Sequence, residues 1–191
     1  MVTEPAAAIA DRYRRVAGQF TDVVLHTPDD AWSNPSPCEG WDARDVVRHN
    51  VDMAAFILGL IERSFPAGTS TVDEDPVDAW LAARDTVQGA LDDLDVATQI
   101  HAHHRHLGQG PWNRAVDMVL TSDLVIHAWD LGHAVGIDVA IDPDEVHRFL
   151  AETDGWDDAV MRTPEVFGPA LDPPPGADEQ TRLLAFLGRR P

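Results

Sequence analysis

Residues 121–133 read TSDLVIHAWDLGH, and they sit inside the longest run of helix-compatible sequence in the chain. Successive helical residues turn by about 100°, so positions 116, 120, 123, 127, 130 and 134 share one stripe. That stripe reads Val, Leu, Asp, His, Asp, Ala. An unpaired carboxylate on a core-facing stripe costs several kcal/mol, so Asp123, His127 and Asp130 call for a compensating partner.

Outward from this segment the chain reads as helices joined by polar loops. Residues 5–26 set Ile9, Tyr13, Val16, Ala17, Phe20 and Val24 on one face and Asp11, Arg12, Arg14, Arg15 and Asp22 on the other. That spacing predicts an amphipathic helix. HTPDDAWSNPSPCEGW (26–41) is rich in Pro, Ser, Asn and Gly and predicts an ordered loop. Asp42, with Asp45 three residues on, forms a capping-box signal for a second helix reaching about Arg63. Asp75-Pro76 opens a third, to about Leu94, with Val77, Trp80, Leu81, Val87, Leu91 and Leu94 inward. IHAHHRHLGQGP (100–111) reads as a loop or short extended excursion. Pro111-Trp112 opens the fourth helix, which ends at Gly136. Asp142-Pro143, with Glu145 completing the cap, starts a fifth to about Thr153. A last short helix covers 179–188.

Four long helices with polar connections describe an all-α bundle whose sites come from side chains on facing helices. One or two short helices follow at the C-terminal end. The expected organisation is a single domain over 1–191, with a proline-rich segment (about 164–191) packed on the bundle.

Asp123 and His127 stand at i, i+4, one turn apart on one helix face. In the second helix, positions 46, 49, 53, 57 and 60 read Val, His, Met, Ile, Leu, so His49 interrupts an apolar stripe. Neighbouring helices lie about 8–10 Å apart, close enough for His49 to meet the Asp/His pair. Two imidazoles and a carboxylate suit zinc, iron or nickel. With 33 acids among 191 residues, about one or two of the nine histidines would have an acid four positions before them by chance. The spacing alone therefore leaves two readings open: a metal site, or Asp123 and His127 satisfying each other.

The net charge of −19, with no Lys in the chain, opposes binding to nucleic acid or to anionic membranes, both of which need cationic surface. No apolar run approaches the ~20 residues of a membrane span, and residues 1–16 lack the pattern of a signal segment. A single cysteine, Cys38, allows no intrachain disulfide. Cytoplasmic localisation is the expectation.

WSNPSPCEGWDARDVVRH (32–49), SDLVIHAWDLGHAVG (122–136), VFGPALDPPP (166–175) and RLLAFLGRRP (182–191) together resemble the metal-binding family related to the N-terminal domain of mycothiol-dependent maleylpyruvate isomerase. That family belongs to the DinB-like helical-bundle superfamily. The resemblance implies a DinB-like four-helix bundle and a divalent metal, commonly zinc, at the positions of His49, Asp123 and His127. In the isomerase the middle ligand is Glu, so Asp123 is a shorter arm. The isomerase also carries a separate C-terminal domain, for which too few residues follow the fifth helix, so the metal centre is what the resemblance carries over. A small thiol such as mycothiol is the cofactor it implies, and a small electrophile the substrate.

Together these readings predict a metal-dependent, thiol-using transferase or isomerase-like enzyme. The rivals are a non-catalytic metal- or small-molecule-binding stress-response module and metal-dependent hydrolysis. Asp130 is a candidate acceptor orienting a ligand imidazole, with a cap or an Arg salt bridge as the alternative. Arg84, on the apolar stripe of the third helix, either anchors a carboxylate of substrate or thiol, or snorkels and pairs with an Asp. Cys38 reads as a nucleophile or as a small buried hydrophobe. His101, His103, His104 and His106 form a short His-rich tract that is either a second metal site or solvent-facing. Trp32, Trp41, Trp112 and Trp129 are expected to pack loops onto the bundle, with one of them lining a pocket. A homodimer through an exposed apolar strip is compatible with such a bundle.

Overall fold

Asp42 and Asp75 start two of the long helices as their positions predict. The Asp42 carboxylate accepts from Asp45 N at 2.9 Å, and the Asp45 carboxylate accepts from Asp42 N at 3.2 Å, so two orphan donors are satisfied reciprocally. Asp75 accepts from Val77 N and Asp78 N, with Pro76 in the first turn. These caps open α2 (Ala43–Gly59) and α3 (Pro76–Asp92). The first helix, α1, spans Ala6–His26. The computed structural model describes residues 4–105, 107–153, 162 and 168–190.

Two ends differ from expectation. At the end of α2, Glu62 takes the left-handed backbone (φ 57°) and Arg63 N bonds back to Leu58 O at 3.0 Å, closing the helix before Arg63. The α3 helix stops at Asp92 because the Asp93 side chain caps a new turn, α4 (Leu94–Ala97). Leu94 therefore opens that turn and is 64% exposed rather than inward. Val77 and Leu81 are only partly buried, whereas Trp80, Val87 and Leu91 are in the core.

Residues Ile100–His104 (β1) and Gly108–Pro111 (β2) pair as an antiparallel hairpin, with an irregularity between His101 and His104. The remaining described elements are helical, so the chain is mostly helical with one small two-stranded sheet.

The predicted fourth helix begins and ends where expected but is not uniform. It consists of α5 (Trp112–Ala115), a π-helical turn (Val116–Thr121) and α6 (Ser122–Val135), and it ends at Gly136 in the left-handed region (φ 76°). The π-turn has identifiable partners. Asp117 O accepts from Arg12 Nη1 and Ser122 Oγ, both at 3.2 Å, and Thr121 Oγ1 donates to Val116 O at 3.2 Å. Side chains thus occupy carbonyls that a regular helix would use. The wider turn shifts the phase of α6 relative to α5, so the stripe extrapolated from 116 to 134 does not run straight: Val116, Leu120 and Asp130 are fully buried, while the Asp123 side chain is 31% exposed.

The same region overturns the outward placement of Arg12. Its guanidinium is buried at 4% exposure, 2.7 Å from Asp117 Oδ1 and 2.7 Å from Glu145 Oε2. Glu145 therefore does not complete the cap of the fifth helix, α7 (Pro143–Thr153). Asp142 accepts from Asp144 N there instead. Arg148 adds a further bond to Asp117 at 2.7 Å.

Helix α1 lies against α3 and α6, and α2 lies against α3 and α6. The core between them includes Tyr13, Phe20, Ile57, Trp80, Trp112, Leu120, Leu124 and Leu131. Trp112 Nε1 donates to Ile57 O at 2.7 Å, tying the fourth rod to the end of α2. A last helix, α8 (Glu179–Phe186), capped by Asp178, packs on α7 and buries Leu183 and Leu184. Residues 164–167 and 191 of the proline-rich segment lie outside the described residues. None of the described helices is long and apolar enough to cross a membrane.

Replacing Arg12 by Met leaves Asp117 and Glu145 short of a buried cationic partner. Urea unfolding should show a loss of about 3 kcal/mol; a loss below about 0.5 kcal/mol, the usual size of a surface substitution, would mean the cluster does not hold α1 to α7.

Candidate metal centre

The α2–α6 interface brings His49 from one helix to Asp123 and His127 from the other. His49 Nε2 lies 3.3 Å from Asp123 Oδ2, and one donor atom from each of His49, Asp123 and His127 falls within 4.8 Å of the others. The imidazoles stand edge-on, 4.9 Å apart at 70°. His49 and Asp123 are about 30% exposed in their side chains and His127 is buried, so the cluster opens to solvent on one side only.

Beneath it lies Asp130, completely buried. Its Oδ2 accepts from His127 Nδ1 at 3.0 Å, from Arg189 Nη2 at 2.9 Å and from the Cys38 thiol at 3.3 Å, while Oδ1 accepts from Arg189 Nε at 3.2 Å. Burial by itself raises the Asp130 pKa. The hydrogen bond from His127 and the charge of Arg189 outweigh it and hold the group at about 2. An ionised carboxylate only accepts, so Nδ1 carries the proton in this contact, and in the neutral imidazole this tautomer leaves the Nε2 lone pair free.

Burial, followed by the adjacent Asp130 charge, pushes the Cys38 thiol up to about 12 against the opposing pull of Arg189. The thiol is accordingly protonated at neutral pH and acts as a donor to Asp130. A second group of donor atoms, from Cys38, His127 and Asp130, also falls within 4.8 Å, but the Arg189 guanidinium already meets two of its members.

Arg189 is the site residue that sequence reasoning missed. The available signal was a charge two residues after the apolar run LLAFL (183–187), in a segment that has to pack. Arg84 belongs elsewhere: its guanidinium bonds Asp85 at 2.7 and 2.8 Å and Thr21 Oγ1 at 3.3 Å. Trp32, Trp112 and Trp129 are buried. Trp41 instead lies against both cluster imidazoles. In the His-rich tract, His101 is buried and bonds Ala102 O at 2.8 Å, His103 is exposed, and His106 lies outside the described residues. Among the described residues that tract forms no three-donor group.

Residues 13–132 match the mycothiol maleylpyruvate isomerase N-terminal domain family, across well over half the chain. The chain belongs to that family. The match includes α2 and the part of α6 that carries the cluster, and the DinB-like superfamily is its general kind. Arg189 lies beyond the matched residues. Two Mycobacterium tuberculosis proteins, uncharacterized protein MT0763 of strain CDC 1551 / Oshkosh and uncharacterized protein Rv0738 of strain H37Rv, are each 25% identical over 190 residues. Each alignment covers 93% of this chain and 95% of the relative. No solved structure matches the chain.

Two measurements check this arrangement. Arg189→Met should destabilise the fold by about 3 kcal/mol in urea unfolding, because it strands Asp130 in the interior. In the native protein the Cys38 thiol should resist alkylation at mildly alkaline pH and react freely after unfolding. Equal labelling rates in the two states would contradict the buried, protonated thiol.

Proposed function

We propose that this protein is a DinB-like four-helix bundle, a single domain, that holds a divalent metal on His49, Asp123 and His127 and uses it in thiol-dependent chemistry on a small electrophile. Zinc is the first choice of ion, with nickel and iron next, and mycothiol represents the class of thiol. The observation that carries the reading is the convergence of two nitrogens and one carboxylate oxygen within 4.8 Å on two facing helices.

The residues present fit such an ion. Their donor set, two imidazoles and a carboxylate, is that of metal centres that keep an open position. Asp130 supplies the partner that a ligating imidazole ordinarily has, fixing the His127 tautomer so that Nε2 is available. Arg189 keeps Asp130 ionised and still, and the partial exposure of His49 and Asp123 leaves an approach from solvent. A bound divalent cation lowers the pKa of a thiol or water that it contacts. Around it the chain orients the ligands, excludes water on the Asp130 side and admits small molecules on the other. The reaction class is a transfer or isomerisation that starts from a small thiol.

Elemental analysis of protein purified without an affinity tag should find close to one divalent metal per chain, lost in His49→Ala and in His127→Ala. Unchanged metal content in both variants removes the assignment. Chelation should lower the melting temperature, since a ion bound only by the folded state stabilises it. Calorimetric binding of mycothiol together with conjugation of an electrophile panel separates the enzyme from the binding module, which would show neither.

A further inference from the structure

Trp41 meets both imidazoles of the cluster. Its ring centroid is 5.0 Å from that of His49, at 44°, and 5.9 Å from that of His127, nearly parallel at 26°. The Trp41 backbone is held through both its amide and its carbonyl. Trp41 N donates to Cys38 O at 3.1 Å, and Trp41 O accepts from Ser36 N at 2.9 Å. Gly40 takes the left-handed φ of 78° that this turn needs, and Asp42 caps α2. One turn therefore sets both the indole and the start of the helix that carries His49. It also delivers the Cys38 thiol to Asp130, the acceptor at the Nδ1 edge of the His127 ring.

We propose that Trp41 is a positioning residue of the metal centre, its indole aligning both ligand imidazoles and stabilising, through its π-face, the positive charge they take on beside a cation. The inference rests on the reading of His49, Asp123 and His127 as ligands. An imidazole bound to a divalent ion is electron-poor, and stacking it on the most electron-rich side chain is favourable in the sense of a cation–π contact. A merely apolar wall would work as well with Leu as with Trp. An electrostatic wall follows the order Trp, then Phe, then Leu, because the potential over the face falls in that order.

The test uses the full chain, untagged and stripped of metal, titrated with Co(II) by calorimetry and by its visible absorption. Trp41→Leu should bind Co(II) about tenfold more weakly, equivalent to about 1.4 kcal/mol, with an altered absorption band, and Trp41→Phe should fall between. The melting temperatures of the metal-free variants should not account for the series. Quenching of tryptophan fluorescence on Co(II) binding should shrink sharply in Trp41→Phe, which keeps an aromatic wall if the Leu variant fails to fold. Wild-type affinity and an unchanged spectrum in Trp41→Leu, or an undiminished quench together with wild-type affinity in Trp41→Phe, overturns the role given to the indole while leaving the metal centre standing. Failure of the wild-type protein itself to take up Co(II), matched by His49→Ala, sinks the metal reading and this inference together.

Discussion

A carboxylate with no access to water, Asp130, is the constraint on which the rest of the site depends. An ionised group at that depth is tolerable only if its desolvation is offset by a cation and by hydrogen bonds to its lone pairs. Arg189 provides the cation in a two-pronged contact, and His127 and Cys38 provide the remaining donors. These partners come from the loop before α2, from α6 itself and from the chain beyond α8. Satisfying one carboxylate therefore fixes where three separate segments meet. His127 is the member that faces both ways, with one nitrogen committed to Asp130 and the other side of its ring directed at His49 and Trp41.

A second buried ionic cluster, Arg12 with Asp117 and Glu145, governs the same rod from its other end. By binding the Asp117 carbonyl as well as its carboxylate, Arg12 joins Ser122 in occupying an acceptor that would otherwise serve the helical ladder. The π-turn is the local result, and the rotation of α6 relative to α5 is its consequence. Buried ion pairs contribute little net stability when compared with well-packed apolar residues, and their value lies in admitting one arrangement and penalising others. Here the arrangement admitted is the one that brings Asp123 to the rim of the cluster and Asp130 to its floor. Gly132 marks how closely the end of α6 is approached, since a side chain there would run into Val139 and the Ile137 carbonyl.

Much of this was legible in the residues. The caps at Asp42 and Asp75 form as their spacing requires, because a capping carboxylate and the amides it bonds lie within three residues of each other. The left-handed end at Gly136 is equally local. The apolar face of α1 packs as its period demands, and His49, Asp123 and His127 meet as their places on two facing stripes suggested, although the π-turn leaves Asp123 at the rim and not in the core. At 100–111 an extended excursion was one of two readings, but the pairing of its arms into a hairpin was not legible, because strands of four and five residues with a break in register and three histidines show no alternating pattern.

What the sequence by itself determined is the local vocabulary: which segments are helical, where they start, which faces are apolar and which three side chains are candidates to converge. Only the tertiary structure decided that Arg12 turns inward, that Glu145 leaves its cap to meet it, that Arg189 reaches Asp130 across 59 positions of chain, and that Trp41 rests on both imidazoles. The physical reason is one of range. Caps and amphipathic faces are settled by neighbours a turn away. The partner of a buried charge is whichever opposite charge the packed chain brings within hydrogen-bond reach, and no spacing along the sequence records that choice.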